Sequence, residues 1–167
     1  MNKNTSFYSV CLPLFLVLAA PKSLYALLPL NFIIDVLVVR MALGSIGRRE
    51  LFAPMWKKEI WLCALASLLG TCAGGAALYG VSRIPFGSEA WRLAVQGVRQ
   101  NPFISTNALI IVFACIIVAA AFTYLLTLWL ALRKTDLSLK EKRTFCLAFA
   151  LFTAPYAFIL PTAWFIH

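Results

Sequence analysis

The stretch Ser23–Gly44, SLYALLPLNFIIDVLVVRMALG, decides how the rest of the chain is interpreted. It is apolar over about the twenty residues that a helix needs to cross a bilayer. Asn31 and Asp35 stand near its middle, four residues apart and therefore on one helix face, just after Pro29. A charged carboxylate at that depth costs about 2.5 kcal/mol or more. The stretch predicts a transmembrane helix in which Asp35 must be protonated, be paired with another group, or have a function such as ion or proton binding.

The composition of the whole chain supports the same interpretation. Of its 167 residues, 62% are hydrophobic and 13% are charged, and the mean hydropathy is +0.87. Soluble domains are about half apolar and about a quarter charged. A water-soluble core of this size could not bury so much apolar surface. We predict an all-α fold, an integral membrane helical bundle that forms one domain over residues 1–167.

The apolar runs predict four transmembrane helices. Their approximate bounds are residues 24–43, 59–82, 108–132 and 144–166. Ahead of the fourth run, Ser138 and Glu141 have the spacing of a capping box, so a helix should begin there. We expect that helix to continue through Ile166 with a kink near Pro155.

Residues 1–20 leave three interpretations open. The run Phe7–Ala20 would form a helix about 21 Å long, too short for a hydrocarbon core of about 30 Å. It fits the apolar region of a cleaved signal peptide, a retained short fifth span, or a re-entrant segment. A single lysine before the run and Pro21 soon after it favour retention as a short fifth helix.

An amphipathic segment, residues 88–100, lies between the second and third spans. Trp91 and Val98 fall on one helix face, and Arg92 and Arg99 fall opposite. Ser88 is a suitable N-cap for this helix. We interpret the segment as an interfacial helix on the outer leaflet. A docking helix for a soluble partner is the alternative.

Basic residues concentrate in two loops, with five in each loop out of fifteen in the chain. Apart from Arg40, which ends the first span, they are Arg48, Arg49, Lys57, Lys58, Arg133, Lys134, Lys140, Lys142 and Arg143. The positive-inside rule places both loops in the cytoplasm, and it places the amphipathic segment and the C-terminus outside a plasma (inner) membrane. Contact with anionic lipid accounts for the net charge of +9 without a nucleic-acid partner.

The second span contains a stripe of small residues, Ala66, Gly70 and Gly74, at every fourth position. We call this set the small-residue stripe. Such a stripe lets a second helix backbone approach closely, as in GxxxG motifs. The neighbouring helix belongs either to this chain or to another one.

The acid has three possible roles. Thr71, Thr123 and Thr153 lie at a depth similar to that of Asp35 when counted from the span ends, so they could join it and Asn31 in a polar cluster. Asp35 is then protonated and hydrogen-bonded inside the bundle. Alternatively it faces a basic or polar residue of another polypeptide, or it forms an ion or proton site in a permeation path.

Enzymatic chemistry finds little support in the sequence. The only histidine is His167, and the only other aspartate, Asp136, lies in a basic loop. No phosphate-binding or dinucleotide-binding glycine pattern, haem ligand pair or metal-binding cysteine spacing occurs, so no cofactor and no metal are expected. The leading hypothesis is a non-enzymatic membrane subunit or scaffold that associates with other membrane proteins or with itself. The alternative is a small transporter or channel component that uses Asn31 and Asp35.

Overall fold

The computed structural model describes residues 21–56, 58–84 and 87–160, and all regular structure within them is helical. The α-helices are α1 (Pro21–Ser45), α2 (Phe52–Met55), α3 (Glu59–Arg83), α4 (Glu89–Gln100), α5 (Thr106–Leu126) and α6 (Leu139–Phe152). Short 3-10 turns span Arg49–Leu51, Pro102–Ile104 and Tyr156–Ile159, and a π-helical turn, Thr127–Ala131, extends α5. The all-α prediction is confirmed. The signal-like segment 1–20, Lys57 and residues 161–167 lie outside the described residues.

Two of the described helices are long and apolar enough to cross a membrane. They are α3, with 25 residues and a mean hydropathy of 1.7, and the continuous helix Thr106–Ala131, with 26 residues and a mean hydropathy of 2.8. At 1.5 Å per residue each exceeds the thickness of a hydrocarbon core, about 30 Å. These two helices coincide with the second and third expected spans.

The fourth expected span differs from the observed structure. Helix α6 has 14 residues and ends at Phe152, so the expected continuous helix over residues 144–166 is wrong between residues 153 and 160. Pro155 lacks an N–H donor and disfavours helical geometry in the residue before it, so it ends the helix and does not merely kink it. The chain then continues through a short 3-10 turn, and Phe158 packs against α3, with its ring 3.2 Å from a Cβ built on Gly74.

Helices α3 and α5 form the central pair, and the other helices pack around it. A first apolar cluster, at the end that carries the basic loops, includes Val39, Leu43, Cys63, Phe145 and Phe149. A second cluster, at the opposite end, includes Leu78, Val98, Ala108, Val112 and Phe158. Helices α1 and α6 therefore complete one end of the pair, and α4 completes the other.

Helix α4 begins as expected but uses its apolar face differently. The Ser88 side chain accepts a hydrogen bond from the Trp91 backbone N–H at 3.3 Å, which confirms the N-cap prediction. Its buried residues include Gly97, where an added Cβ would lie 2.7 Å from the Cβ of Ala108. The apolar face that was expected to lie on the outer leaflet thus packs against α5. Leu93 projects outward and is half exposed.

An ion pair joins the two basic loops at one end of the bundle. Arg48 Nε donates to Glu141 Oε1 at 2.9 Å. The Glu141 side chain also accepts a hydrogen bond from the Ser138 backbone N–H at 2.7 Å, and the Ser138 hydroxyl accepts one from the Glu141 N–H at 3.3 Å. This arrangement confirms the capping box at the start of α6. It also fixes the first basic loop to the second.

Replacing Glu141 tests this junction through its pH dependence. The hydrogen bonds from Ser138, and then the Arg48 guanidinium, lower the pKa of Glu141 from 4.5 to about 2. Because the folded pKa is depressed, the stabilisation is fully present above the unfolded pKa and is lost as the pH falls through the folded pKa. We expect the difference in melting temperature between wild type and Glu141→Gln to shrink between about pH 4.5 and pH 2. Thermal unfolding in detergent across that range measures it, and a difference that does not vary with pH would contradict the prediction.

Candidate functional site

The inner face of α1 places Asp35 inside the bundle. Val38, Val39 and Ala42 follow it at helical spacing, and all three are buried. Asp35 shares their face and is 1% exposed. Among the residues that the structure describes, no other carboxylate is buried. The sequence pattern that packs α1 against its neighbours therefore also carries the acid inward.

The Asp35 carboxyl is only partly satisfied. Asn31 Nδ2 donates to Asp35 Oδ2 at 3.2 Å, one turn away on the same helix. The Ser67 hydroxyl approaches the carboxyl from α3. Oδ1 of Asp35 is buried and has no hydrogen-bond partner among the residues that the structure describes. A buried acceptor left without a partner costs about 1–3 kcal/mol, so this atom is a candidate contact point for something outside the described chain.

An open groove of about 440 Å³ runs between α1 and α3 beside this carboxyl. We call it the α1/α3 groove, and its lining residues are Pro29, Asn31, Phe32, Asp35, Trp61, Ala64, Leu65 and Leu68. The rings of Phe32 and Trp61 stack across it with centroids 4.4 Å apart and planes inclined by 27°. Apolar walls with a few convergent polar groups are typical of a binding site.

Among the described residues, no hydrogen bond is seen between the Asp35 carboxyl and the three threonines of the expected polar cluster. Thr153 donates its hydroxyl hydrogen to the Phe149 carbonyl at 2.8 Å, and Thr71 is half-buried on α3. Thr123 is buried against Gly70, between α3 and α5. The hydroxyl that does approach Asp35 belongs to Ser67, which sequence reasoning missed. The sequence feature that could have identified Ser67 is its position next to Ala66, at the edge of the small-residue stripe.

The small-residue stripe packs against α5 of the same chain. A Cβ added to Gly70 would collide with Thr123 Oγ1 and would lie 2.9 Å from the Ala119 carbonyl oxygen. A Cβ added to Gly74 would lie 2.7 Å from the Ala119 Cβ, and Ala66 is fully buried. The stripe is therefore filled within the chain and offers no free surface for another helix.

The basic residues are distributed around the end of the bundle that carries the Arg48–Glu141 pair. The Arg40 guanidinium lies 5.9 Å from the centroid of the Phe52 ring, and the Arg49 side chain covers Gly44. Lys58, Arg133, Lys134, Lys140 and Arg143 are exposed, and Lys142 is half-buried. These residues form a diffuse cationic surface.

The α1/α3 groove supports binding better than catalysis. Its lining includes one carboxyl and one side-chain amide, which can accept or donate hydrogen bonds but do not form a nucleophile with an adjacent base. Among residues 21–56, 58–84 and 87–160, no group of three or more metal-ligating side chains is close enough to hold an ion. Comparisons with protein-family models, curated proteins and solved structures find no match to this chain.

Proposed function

We propose that this chain is a multi-pass membrane protein that acts as a non-enzymatic subunit or scaffold, and that it binds another membrane helix in the α1/α3 groove. One observation carries the proposal: a buried carboxyl oxygen without a partner lies beside an open apolar groove. In a bilayer, polar side chains of this kind hold helices together, because lipid offers them no hydrogen bond.

The apolar outer surface supports a lipid environment. On α1, Leu30, Ile33, Leu37 and Met41 are each more than half exposed. On α5 and the π-helical turn that extends it, Ile110, Ile117, Leu125 and Trp129 are also more than half exposed. Soluble monomers rarely expose contiguous apolar patches larger than a few hundred Å². Acyl chains are the solvent that suits such faces. In this proposal α1 is a further span, and the basic loops face the cytoplasm.

The groove replaces the small-residue stripe as the surface for association. The stripe contacts Ala119 and Thr123 of the same chain, so a partner cannot use it without separating α3 from α5. The groove, in contrast, has exposed leucines on its α3 wall: Leu65 is 45% exposed and Leu68 is 41% exposed. These side chains give a second helix an apolar surface next to the polar pair.

Site-specific photo-cross-linking in native membranes tests the proposal. A photoreactive phenylalanine analogue at Leu65 should give a discrete adduct with another membrane protein, since this position lines the groove. The same analogue at Ile117, which is 67% exposed on α5, is the matched control and should give only diffuse lipid adducts. The Leu65 adduct should disappear when Asn31 and Asp35 are both replaced by leucine.

Identical cross-linking from the two positions would reject the groove as an association surface. So would a Leu65 adduct that survives removal of the polar pair. A proton or ion flux through the purified protein in liposomes, lost in Asp35→Asn, would instead support the alternative of a small transporter or channel component. In that alternative Asn31 and Asp35 form the ion or proton site.

A further inference from the structure

The depth of Asp35 restricts what can satisfy it. Helix α1 runs from Pro21 to Ser45, so Asp35 lies about 21 Å from one end and about 15 Å from the other. Bulk water and lipid headgroups do not reach that depth in a bilayer. The missing hydrogen-bond donor must therefore be supplied by a group that is itself embedded in the membrane.

The charge of the acid determines which donor fits. An ionised carboxylate has about four acceptor sites on its two oxygens, and Asn31 occupies one of them. Ionisable groups inside membranes pair with one another, and charge-assisted hydrogen bonds are roughly twice as strong as neutral ones. Pairing with a lysine or arginine side chain would favour the ionised form of this carboxyl, and such a cation is the group that stabilises it best.

The three other expected spans do not supply such a cation. No lysine or arginine occurs within residues 59–82, 108–132 or 144–166. Arg40 is nearest in sequence, but its guanidinium lies over the Phe52 ring on the loop side. A second copy of the chain would have the same three spans, which likewise contain no lysine or arginine. A basic residue on a different polypeptide is the source that these spans leave open.

The shape of the groove fits a helix. Its α3 wall extends from Trp61 to Leu68, about 10 Å along the helix axis and two turns of side chains. Ala64 stands between the larger residues of this wall, and a small residue there allows close backbone approach. The stacked pair Phe32 and Trp61 joins the two walls of the groove.

We infer that the α1/α3 groove receives a transmembrane helix of another protein that carries one lysine or arginine near its middle, and that this cation pairs with Asp35. This inference rests on the proposed function and specifies the partner. The partner's apolar side chains contact Leu65 and Leu68, and its basic side chain reaches Oδ1 of Asp35.

A defined probe helix tests the inference. Full-length protein in liposomes is mixed with a synthetic helix of leucine and alanine that carries a single central lysine, and association is followed by energy transfer between labels on the two. The same helix with a central leucine is the matched probe. We expect the lysine helix to bind about 30-fold more tightly to wild type, because truncating one side of a buried charge pair costs about 2 kcal/mol or more.

Two protein variants distinguish the pair from general electrostatic attraction. Asp35→Asn keeps the size of the side chain and should remove the preference for the lysine helix. Asp35→Lys should prefer a helix with a central glutamate, which restores the pair with reversed charges. Equal binding of the lysine and leucine helices, or a lysine preference that survives Asp35→Asn, would overturn the inference.

Failure of this inference can be told apart from failure of the proposed function. If the Leu65 adduct persists in native membranes, equal binding of the two probe helices rejects only the charge of the partner. If that adduct is also missing, the proposed function fails with it.

Discussion

Replacing Gly70 with leucine should abolish the folded bundle or lower its melting temperature by about 10 °C or more. A Cβ at this position would collide with Thr123 Oγ1 and would lie 2.9 Å from the Ala119 carbonyl oxygen, which belongs to the α5 backbone. A helix backbone cannot move aside as a flexible side chain can, so α3 and α5 must separate. Overpacking of a core costs about 1–3 kcal/mol and more in rigid places, and each kcal/mol shifts the melting temperature by about 2–4 °C at this size.

Unfolding can be followed with a thiol-reactive dye in mild detergent, because Cys63, Cys115 and Cys146 are buried in the folded chain. Gly80→Leu is the matched control on the same helix. A Cβ at Gly80 meets no heavy atom within 4 Å, and the residue is exposed. The control should therefore unfold like the wild type. Equal melting temperatures for the two leucine variants would show that the α3–α5 contact is looser than the structure has it.

The parts of the fold that sequence predicts well are those governed by local chemistry. Ser88 and Ser138 each cap a helix through a backbone N–H three residues later, and both caps are confirmed. A cap of this kind depends on a few consecutive residues, so it needs no knowledge of the rest of the chain. The bounds of α3 likewise follow from the length of an uninterrupted apolar run.

The prediction for the last helix failed because tertiary contacts, and not the local sequence alone, determine where this helix ends. A proline inside an apolar run permits either a kink or an end, and the sequence around Pro155 does not distinguish them. In the structure the α-helix ends at Phe152, and the turns that follow place Phe158 against Gly74 and Gly75. The partner of Phe158 in this contact is about eighty residues away in sequence, so local sequence gives no sign of it.

The candidate site was only half predictable for a similar reason. Asn31 and Asp35 share a helix face at a spacing of four, so their hydrogen bond follows from the sequence. The depth of a threonine along its span can also be counted, but depth gives no information about helix rotation. Thr123 faces Gly70, whereas Ser67 faces the carboxyl. Rotation is set by packing between helices, which hydropathy does not encode.

Replacing both Asn31 and Asp35 with leucine should stabilise the isolated protein and abolish its association. The wild-type carboxyl keeps a buried oxygen without a partner, and this arrangement costs about 1–3 kcal/mol. Replacing buried polar groups by apolar ones of similar shape is often neutral or stabilising, whereas removing one member alone leaves the other unsatisfied. The open groove gives the added methyl groups room. We expect the melting temperature in detergent to rise by about 5 °C.

The single variant Asn31→Leu is the informative control, because it removes the donor and leaves the carboxyl with less hydrogen bonding than before. It should melt below the wild type, while the double variant melts above it. If the double variant melts below the wild type as well, the polar pair holds α1 against α3 and has a structural role in the isolated chain. If the melting temperatures follow the predicted order, the polar pair weakens the free protein. Such a cost is expected of residues that are kept because binding a partner requires them. Stability gained together with loss of the Leu65 adduct would therefore assign Asp35 to recognition and not to folding.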